Sequence, residues 1–292
     1  MTLLGEKNNQ YADAHAVFDD AQVIILGVPF DGTSSHRCGS AAAPAAIRKE
    51  SYNYETFLWK YGFDIENAKI HDMGDAKNFS NVNELVSGLP EVLKEVMNQK
   101  KFLITLGGEH SVTIPIVNML SKVYQKPTLG VVYFDAHLDF RDSYLDEKYS
   151  HACVARRLSE IVGLDNIVSI GIRSYSKEEA EEIKDKEFRF YNADSVFSKG
   201  IEQVLSETLK YLGDKPIYLT IDMDAVDPAY APGVGNPEYF GLTPGQIKTS
   251  IETLGSRLIG ADIVEVSPPF DNGNTAALAA QFIQIIIAQG LK

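Results

Sequence analysis

The chain has 292 residues, 45% of them hydrophobic and 23% charged, with a formal net charge of −13. Such a composition excludes a disordered or fibrous chain, and the acidic balance argues against a nucleic-acid partner, which needs a basic face, while mildly favouring a cationic substrate. Only 2 cysteines, Cys38 and Cys153, are present, too few for a disulfide framework; they fit a reducing compartment, so a cytoplasmic location is expected.

No apolar run follows a basic start at the amino terminus, where Glu6 and Lys7 stand among amides, so no secretory leader is expected. Gln22–Val28 reads as a buried strand, followed by a Gly-, Ser- and Thr-rich loop from Pro29 to Ala43. Pro44 to Arg48 starts a helix, with proline tolerated in the first turn. Lys69–Met73 is a short strand. Glu84–Asn98 has helical spacing through Leu85, Leu89, Val92, Leu93 and Val96, and Pro90 is expected in the first turn of a helix that begins later than Glu84. Phe102–Leu106 is a strand, Ser111–Tyr124 a helix, and Thr128–Phe134 a strand.

Phe140–Ser150 is a polar, aromatic surface loop and His151–Ile161 a helix. Strand Ile167–Ile170, helix Lys177–Lys184, strand Phe188–Tyr191, helix Ile201–Leu212 and strand Ile217–Ile221 come next. After turn-rich Pro228–Gly241, Thr243 caps a helix, Leu258–Val266 is the last strand, and a helix from Asn274 closes the chain. The apolar tail Ala276–Ala288 is too short to span a membrane and is broken by Gln281 and Gln284. Regular alternation of strand and helix predicts a three-layer α/β/α fold with a central, mostly parallel sheet, as one domain over residues 1–292.

Chemistry gathers at three strand ends. Val131–Phe134 runs into Asp135-Ala136-His137-Leu138-Asp139; in an extended chain residues i, i+2 and i+4 share a face, so these three side chains are expected to converge on one point. Ile217–Ile221 runs into Asp222-Met223-Asp224, and Phe102–Leu106 into Gly107-Gly108-Glu109-His110. Burying such a set is costly unless a cation sits among it. The imidazoles of His110 and His137 and the carboxylates of Asp135, Asp139, Asp222 and Asp224 are too many for one ion, and their hardness suits manganese or magnesium better than zinc. Two ions roughly 3.5 Å apart can lower the pKa of a water held between them toward neutrality. No nucleophile elbow, P-loop or GxGxxG competes with that chemistry.

The motifs Leu106-Gly107-Gly108-Glu109-His110-Ser111, Phe134-Asp135-Ala136-His137-Leu138-Asp139, Thr220-Ile221-Asp222-Met223-Asp224-Ala225-Val226-Asp227-Pro228 and Glu265-Val266-Ser267-Pro268-Pro269 resemble those of the ureohydrolase family, which holds arginase and agmatinase. The resemblance runs from about Gly27 to the last helix. It implies an arginase-like fold and two manganese ions per subunit. His110, Asp135, Asp139 and Asp222 would hold one ion, and Asp135, His137, Asp222 and Asp224 the other. Asp135 and Asp222 would bridge, and Asp139 would also orient the attacking hydroxide. His151 falls where the family keeps a proton-shuttling histidine, and Glu265 where a carboxylate meets the substrate guanidinium. A homo-trimer or hexamer is implied as well. The reaction implied is hydrolysis of a small cationic guanidino compound to an amine and urea.

Substrate choice is read from loops. The loop Phe140–Ser150 has Arg141, Asp142, Ser143, Asp146 and Glu147 but no Asn, whereas the family's arginases use Asn and Ser there. Gly27 to Thr33 and Arg37-Cys38-Gly39 also resemble agmatinases, which favours agmatine; Arg141 keeps a carboxylate-ended substrate such as guanidinobutyrate in play. An arginase, or a non-catalytic metal-binding protein on the same fold, competes with that reading. Plainer readings compete at single residues: Glu265 paired with Arg48 or Arg173, His151 as a helix cap, and Cys153 as packing. His15, His36 and His71 would lie in surface or loop positions, with Arg156 and Arg157 facing water or a subunit contact.

Overall fold

The computed structural model describes residues 10–124 and 128–292; the amino-terminal stretch read as lacking a leader lies outside the described residues. The elements are β1 (Val23–Val28), α1 (Ala43–Ser51), β2 (Phe57–Leu58), β3 (Phe63–Asp64), β4 (Ile70–Asp75), α2 (Val82–Asn98), β5 (Phe102–Gly107), α3 (Thr113–Val123), β6 (Gly130–Phe134) and α4 (Val154–Val162). Then come β7 (Ile167–Ile172), α5 (Lys177–Lys186), β8 (Phe190–Asn192), α6 (Ala193–Lys199), α7 (Ile201–Leu212), β9 (Ile217–Asp222), α8 (Pro244–Leu254), β10 (Leu258–Val264) and α9 (Asn274–Gly290).

Eight strands form one sheet in the order β4-β1-β5-β10-β9-β6-β7-β8, and every neighbouring pair is parallel. Parallel strands need crossovers and are covered on both faces, so their residues are mostly apolar rather than alternating regularly with polar ones. Period-two alternation instead sorts side chains between two cores. Val23 and Ile25 of β1 join the core beneath α1, α7, α8 and α9, while Ile24, Leu26 and Val28 join the one beneath α2, α3 and α4. This is the three-layer arrangement expected from the pattern. No helix among the described residues is long and apolar enough to cross a membrane.

Local readings differ in several places. Helix α2 begins at Val82, where Asn81 accepts a hydrogen bond from the Glu84 backbone N–H at 3.0 Å and Ser80 N–H donates to the Glu84 carboxylate at 2.8 Å. Pro90 therefore lies inside the helix, not in its first turn. An interior proline costs about 3 kcal/mol. Leu85, Leu89, Val92, Leu93 and Val96 are all buried, and at roughly 1.5–3 kcal/mol each that stripe outweighs it. Helix α6 and the β2–β3 hairpin were not foreseen, and β10 ends at Val264 rather than Val266.

Candidate active site

The four central strands, β5, β10, β9 and β6, end at one edge of the sheet, and the charged residues singled out above follow them. In parallel α/β sheets this edge, outside the strand carboxyl ends, is where sites assemble. After β5 the chain runs against the loop that follows β1: Glu109 N–H donates to the Phe30 carbonyl at 2.7 Å, and a Cβ at Gly108 would collide with that carbonyl. Only glycine allows this approach, and it delivers His110 at the start of a short 3-10 turn.

Asp135 and His137 meet, 3.5 Å apart, while of the two imidazoles Asp139 comes near only His110, and neither placement is made by strand pleating. Strand β6 stops at Phe134, His137 bridges to Ser174 beside β7, and Asp139 takes a left-handed φ of 49°. Extended, residues four apart would stand about 13 Å from each other, too far to share an ion. The turn instead brings Asp135 and Asp139 both beside His110. Asp222 likewise caps a 3-10 turn that contains Asp224, so the two are not related by a pleat.

Three aspartates divide their oxygens in the same way. One oxygen accepts a backbone N–H: Asp135 from His137 at 2.6 Å, Asp222 from Asp224 at 2.8 Å, and Asp224 from Ala136 at 3.0 Å. The other oxygen, Oδ2, faces an imidazole. His110 Nδ1 lies 3.0 Å from Asp135 Oδ2 and 3.2 Å from Asp222 Oδ2, and His137 Nδ1 lies 2.9 Å from Asp224 Oδ2. Two groups with metal-ligand spacing result, His110–Asp135–Asp222 and Asp135–His137–Asp224, sharing Asp135. Asp139 stands beside the first, its Oδ2 3.9 Å from His110 Nδ1 and accepting from Tyr133 Oη at 2.7 Å.

The far ring nitrogens are held separately. His110 Nε2 lies 2.8 Å from Thr220 Oγ1, and the Thr220 hydroxyl donates to Asp262 at 2.5 Å; Asp262 also accepts from Tyr218 and Thr113 at 2.8 and 2.9 Å. Thr220 has spent its only proton on Asp262, so it accepts from His110 Nε2–H; in the neutral ring, the form that binds a cation, Nδ1 is then the bare donor atom. His137 Nε2 lies 3.6 Å from Glu238. Thr220, Asp262, Tyr133 and Glu238 were missed as site residues from sequence. Asp262, a charge inside the apolar run Ala261–Val264, was the one readable signal.

The electrostatics fit a cation. Burial and the neighbouring carboxylates push Asp222 and Asp139 well above the usual carboxylate range. Against the pull of burial, Asp135 and Asp222 hold His110 well above the imidazole range, and Asp224 and Asp135 do the same for His137. Asp135 Oδ2 is buried yet accepts no hydrogen bond. Carboxylates this crowded and dry, with one oxygen unsatisfied, suit a bound divalent ion.

Glu265 follows β10 at a left-handed φ of 64° and accepts the His110 N–H at 2.9 Å. Burial, then Glu109, push its carboxyl up. Neither plainer partner reaches it. Arg48 is buried against Asp72 and Asp75, and Arg173 donates to backbone carbonyls including those of Asp224 and Glu238. Glu265 has no ion-pair partner among the described residues, and with His137, Arg141, Tyr144, His151 and Asn236 it lines a cavity of about 270 Å³. Burial, and the charge of His137 and His110, pull His151 down to about 4. Arg141 sits at the wall with its Nε 3.4 Å from Glu179 and its guanidinium over the Tyr144 ring.

The remaining residues follow the plainer readings in part. His15 and His36 are exposed, but His71 is on β4 with Nδ1 2.7 Å from the Ala16 carbonyl. Cys153 is buried, which raises its thiol to about 12. Arg156 and Arg157 do not simply face water: they pair with Asp142, Glu160 and Glu182, and Arg157 is itself buried.

The arginase family matches residues 21–288. An agmatinase from Bacillus cereus is 34% identical over 287 residues, covering 97% of this chain and 96% of the relative. A guanidinobutyrase from Pseudomonas aeruginosa is 34% identical over 281 residues, covering 94% and 88%. The crystal structure of an agmatine ureohydrolase from Thermoplasma volcanium superposes with a TM-score of 0.91 at 39% identity, covering 97% of this chain and 94% of that one. Fold, strand-end donors and sequence agree: the chain belongs to the arginase family of ureohydrolases.

Proposed function

We propose that the protein is a binuclear manganese ureohydrolase that hydrolyses agmatine to putrescine and urea. The observation that carries this reading is the pair of donor groups joined through Asp135, opening into the same cavity as the carboxylate of Glu265, which has no ion-pair partner among the described residues. His110, Asp135, Asp139 and Asp222 would hold one ion, and Asp135, His137, Asp222 and Asp224 the other. When bound, the ions supply a water activated for attack at neutral pH.

The protein's own residues do the rest. Glu265 accepts the N–H groups of the flat guanidinium and fixes its carbon at the floor of the cavity. Asp139 accepts a hydrogen bond from the attacking water and orients it. The water oxygen bonds to the guanidinium carbon, the C–N bond to the diamine breaks, and His151, neutral at pH 7, carries the proton to the leaving amine. Glu238, 3.6 Å from His137 Nε2, is the nearby carboxylate that suits the distal ammonium of agmatine.

Arg141, lining the same cavity, favours a second reading in which the far end of the substrate is a carboxylate, as in guanidinobutyrate. A panel of agmatine, arginine, guanidinobutyrate and guanidinopropionate with manganese-loaded protein separates the two. Agmatine is expected to give the highest kcat/KM, and preference for any other member sinks the assignment. Glu265→Gln is expected to weaken kcat/KM by roughly two orders of magnitude, since a charge-assisted pair at the reacting group is lost; unchanged kinetics would remove Glu265 from the site. Residues 1–292 are taken as one cytoplasmic catalytic domain that assembles as a homo-trimer or hexamer, which light scattering of the purified protein tests.

A further inference from the structure

We propose that Thr33 is a positioning residue for His151, and that Glu109 sets the direction of the Thr33 hydroxyl so that His151 offers a bare Nε2 to the cavity. The proposal rests on the reading of His151 as the proton carrier. It comes from a chain of contacts linking three segments far apart in sequence.

Glu109 is fully buried and has no ion-pair partner among the described residues. Its Oε1 accepts from the hydroxyls of Thr33 and Ser111, each at 2.6 Å. Its Oε2 accepts from the Thr33 N–H at 2.7 Å and the Ser34 hydroxyl at 3.4 Å. A hydroxyl has one proton to give and two lone pairs with which to accept. With the Thr33 proton committed to Glu109, its oxygen can only accept from His151. Two groups of His151 approach that oxygen, the backbone N–H at 3.0 Å and Nδ1 at 3.1 Å. Nδ1 must then carry the ring proton, and Nε2 is left as the acceptor.

Other contacts agree with this orientation. Ser150 Oγ, 3.3 Å from Nδ1, accepts the Ala152 N–H and has a lone pair left for a share of the same proton. Ser35 Oγ, on the cavity wall, lies 3.5 Å from Nε2 and is placed to donate to it. The Tyr144 ring meets the imidazole edge-on at 5.8 Å and limits its tilt. An imidazole in the opposite tautomer would point N–H at the reacting groups and could not take a proton from them.

The test reads the ring proton directly. Histidine-selective 15N NMR of the zinc-loaded, diamagnetic protein at pH 7.5, with His151 assigned from the His151→Asn spectrum, is expected to show protonated Nδ1 and unprotonated Nε2. Thr33→Val should abolish that pattern and lower kcat roughly 10- to 100-fold in the manganese-loaded enzyme, with KM changed less than about threefold. Thr33→Ser, which keeps the hydroxyl, should restore both the pattern and most of kcat. A wild-type His151 protonated at Nε2 overturns the proposal without any variant, and so does Thr33→Val with an unaltered pattern and kcat. If the wild type hydrolyses none of the guanidino panel, the reading of the site falls instead, while the tautomer assignment is still decided by the spectra.

Discussion

His110 faces two different environments across one ring. Nδ1 looks toward Asp135 and Asp222, and Nε2 is tied through Thr220 to Asp262. A histidine that binds metal through one nitrogen needs the other fixed, and removing such an outer partner typically costs 10- to 100-fold in metal affinity. Thr220→Val should therefore weaken manganese binding by about that factor, measured by calorimetric titration, while leaving the fold intact by circular dichroism. Unchanged affinity would mean that Thr220 only packs. His151 yields a prediction on pH. Its folded value of about 4 lies below the unfolded value of about 6.5, so the unfolded chain binds more protons between the two. Its contribution is complete above about pH 6.5 and is lost as pH falls toward 4, on the order of 3 kcal/mol. In chelator-treated protein, the stability of the wild type should fall more between pH 7 and pH 5 than that of His151→Asn. Parallel denaturation curves would contradict the shift.

Among the elements, α2 shows most directly how packing overrides local preference. Pro90 removes one backbone hydrogen bond from the middle of a helix whose other face is buried from Leu85 to Val96. Pro90→Ala should raise the thermal midpoint by a few degrees, because the regained bond outweighs the extra freedom of the unfolded chain by roughly 1–2 kcal/mol; a lower midpoint would show that the proline is packed to advantage. The same contrast explains what could be read without a structure. Strands β6 and β9 were legible because each apolar run stops abruptly at charged residues, and β5 because its run stops at a glycine pair ahead of Glu109; those breaks also marked His110, Asp135 and Asp222. Helix α6 was not, because the 7 residues of Ala193–Lys199 hold too few turns for a period to emerge. Thr33 and Glu109 were invisible as a pair for a different reason. Their meaning lies in a contact between residues 76 apart, which no local pattern encodes.

For the molecule as a whole, the donor set at the sheet edge is a store of unrelieved repulsion until a cation arrives. Binding to the folded form alone stabilises it by about 2.7 kcal/mol at one hundred times the dissociation constant. Stripping the protein with a chelator should accordingly lower its thermal midpoint by roughly 5–10 °C, reversibly on adding manganese. A midpoint indifferent to both treatments would mean that these side chains hold no ion. The strand order carries a consequence for biosynthesis. Strands β9 and β10, made last, are inserted between β5 and β6, made much earlier. A nascent chain on the ribosome thus has two sheet fragments with their inner edges uncovered, and it cannot close them until Glu265 has cleared the exit tunnel. Neither donor group is complete until Asp222 and Asp224 have emerged, so metallation comes late in synthesis, and chaperones that shield open strand edges would guard the sheet fragments until then.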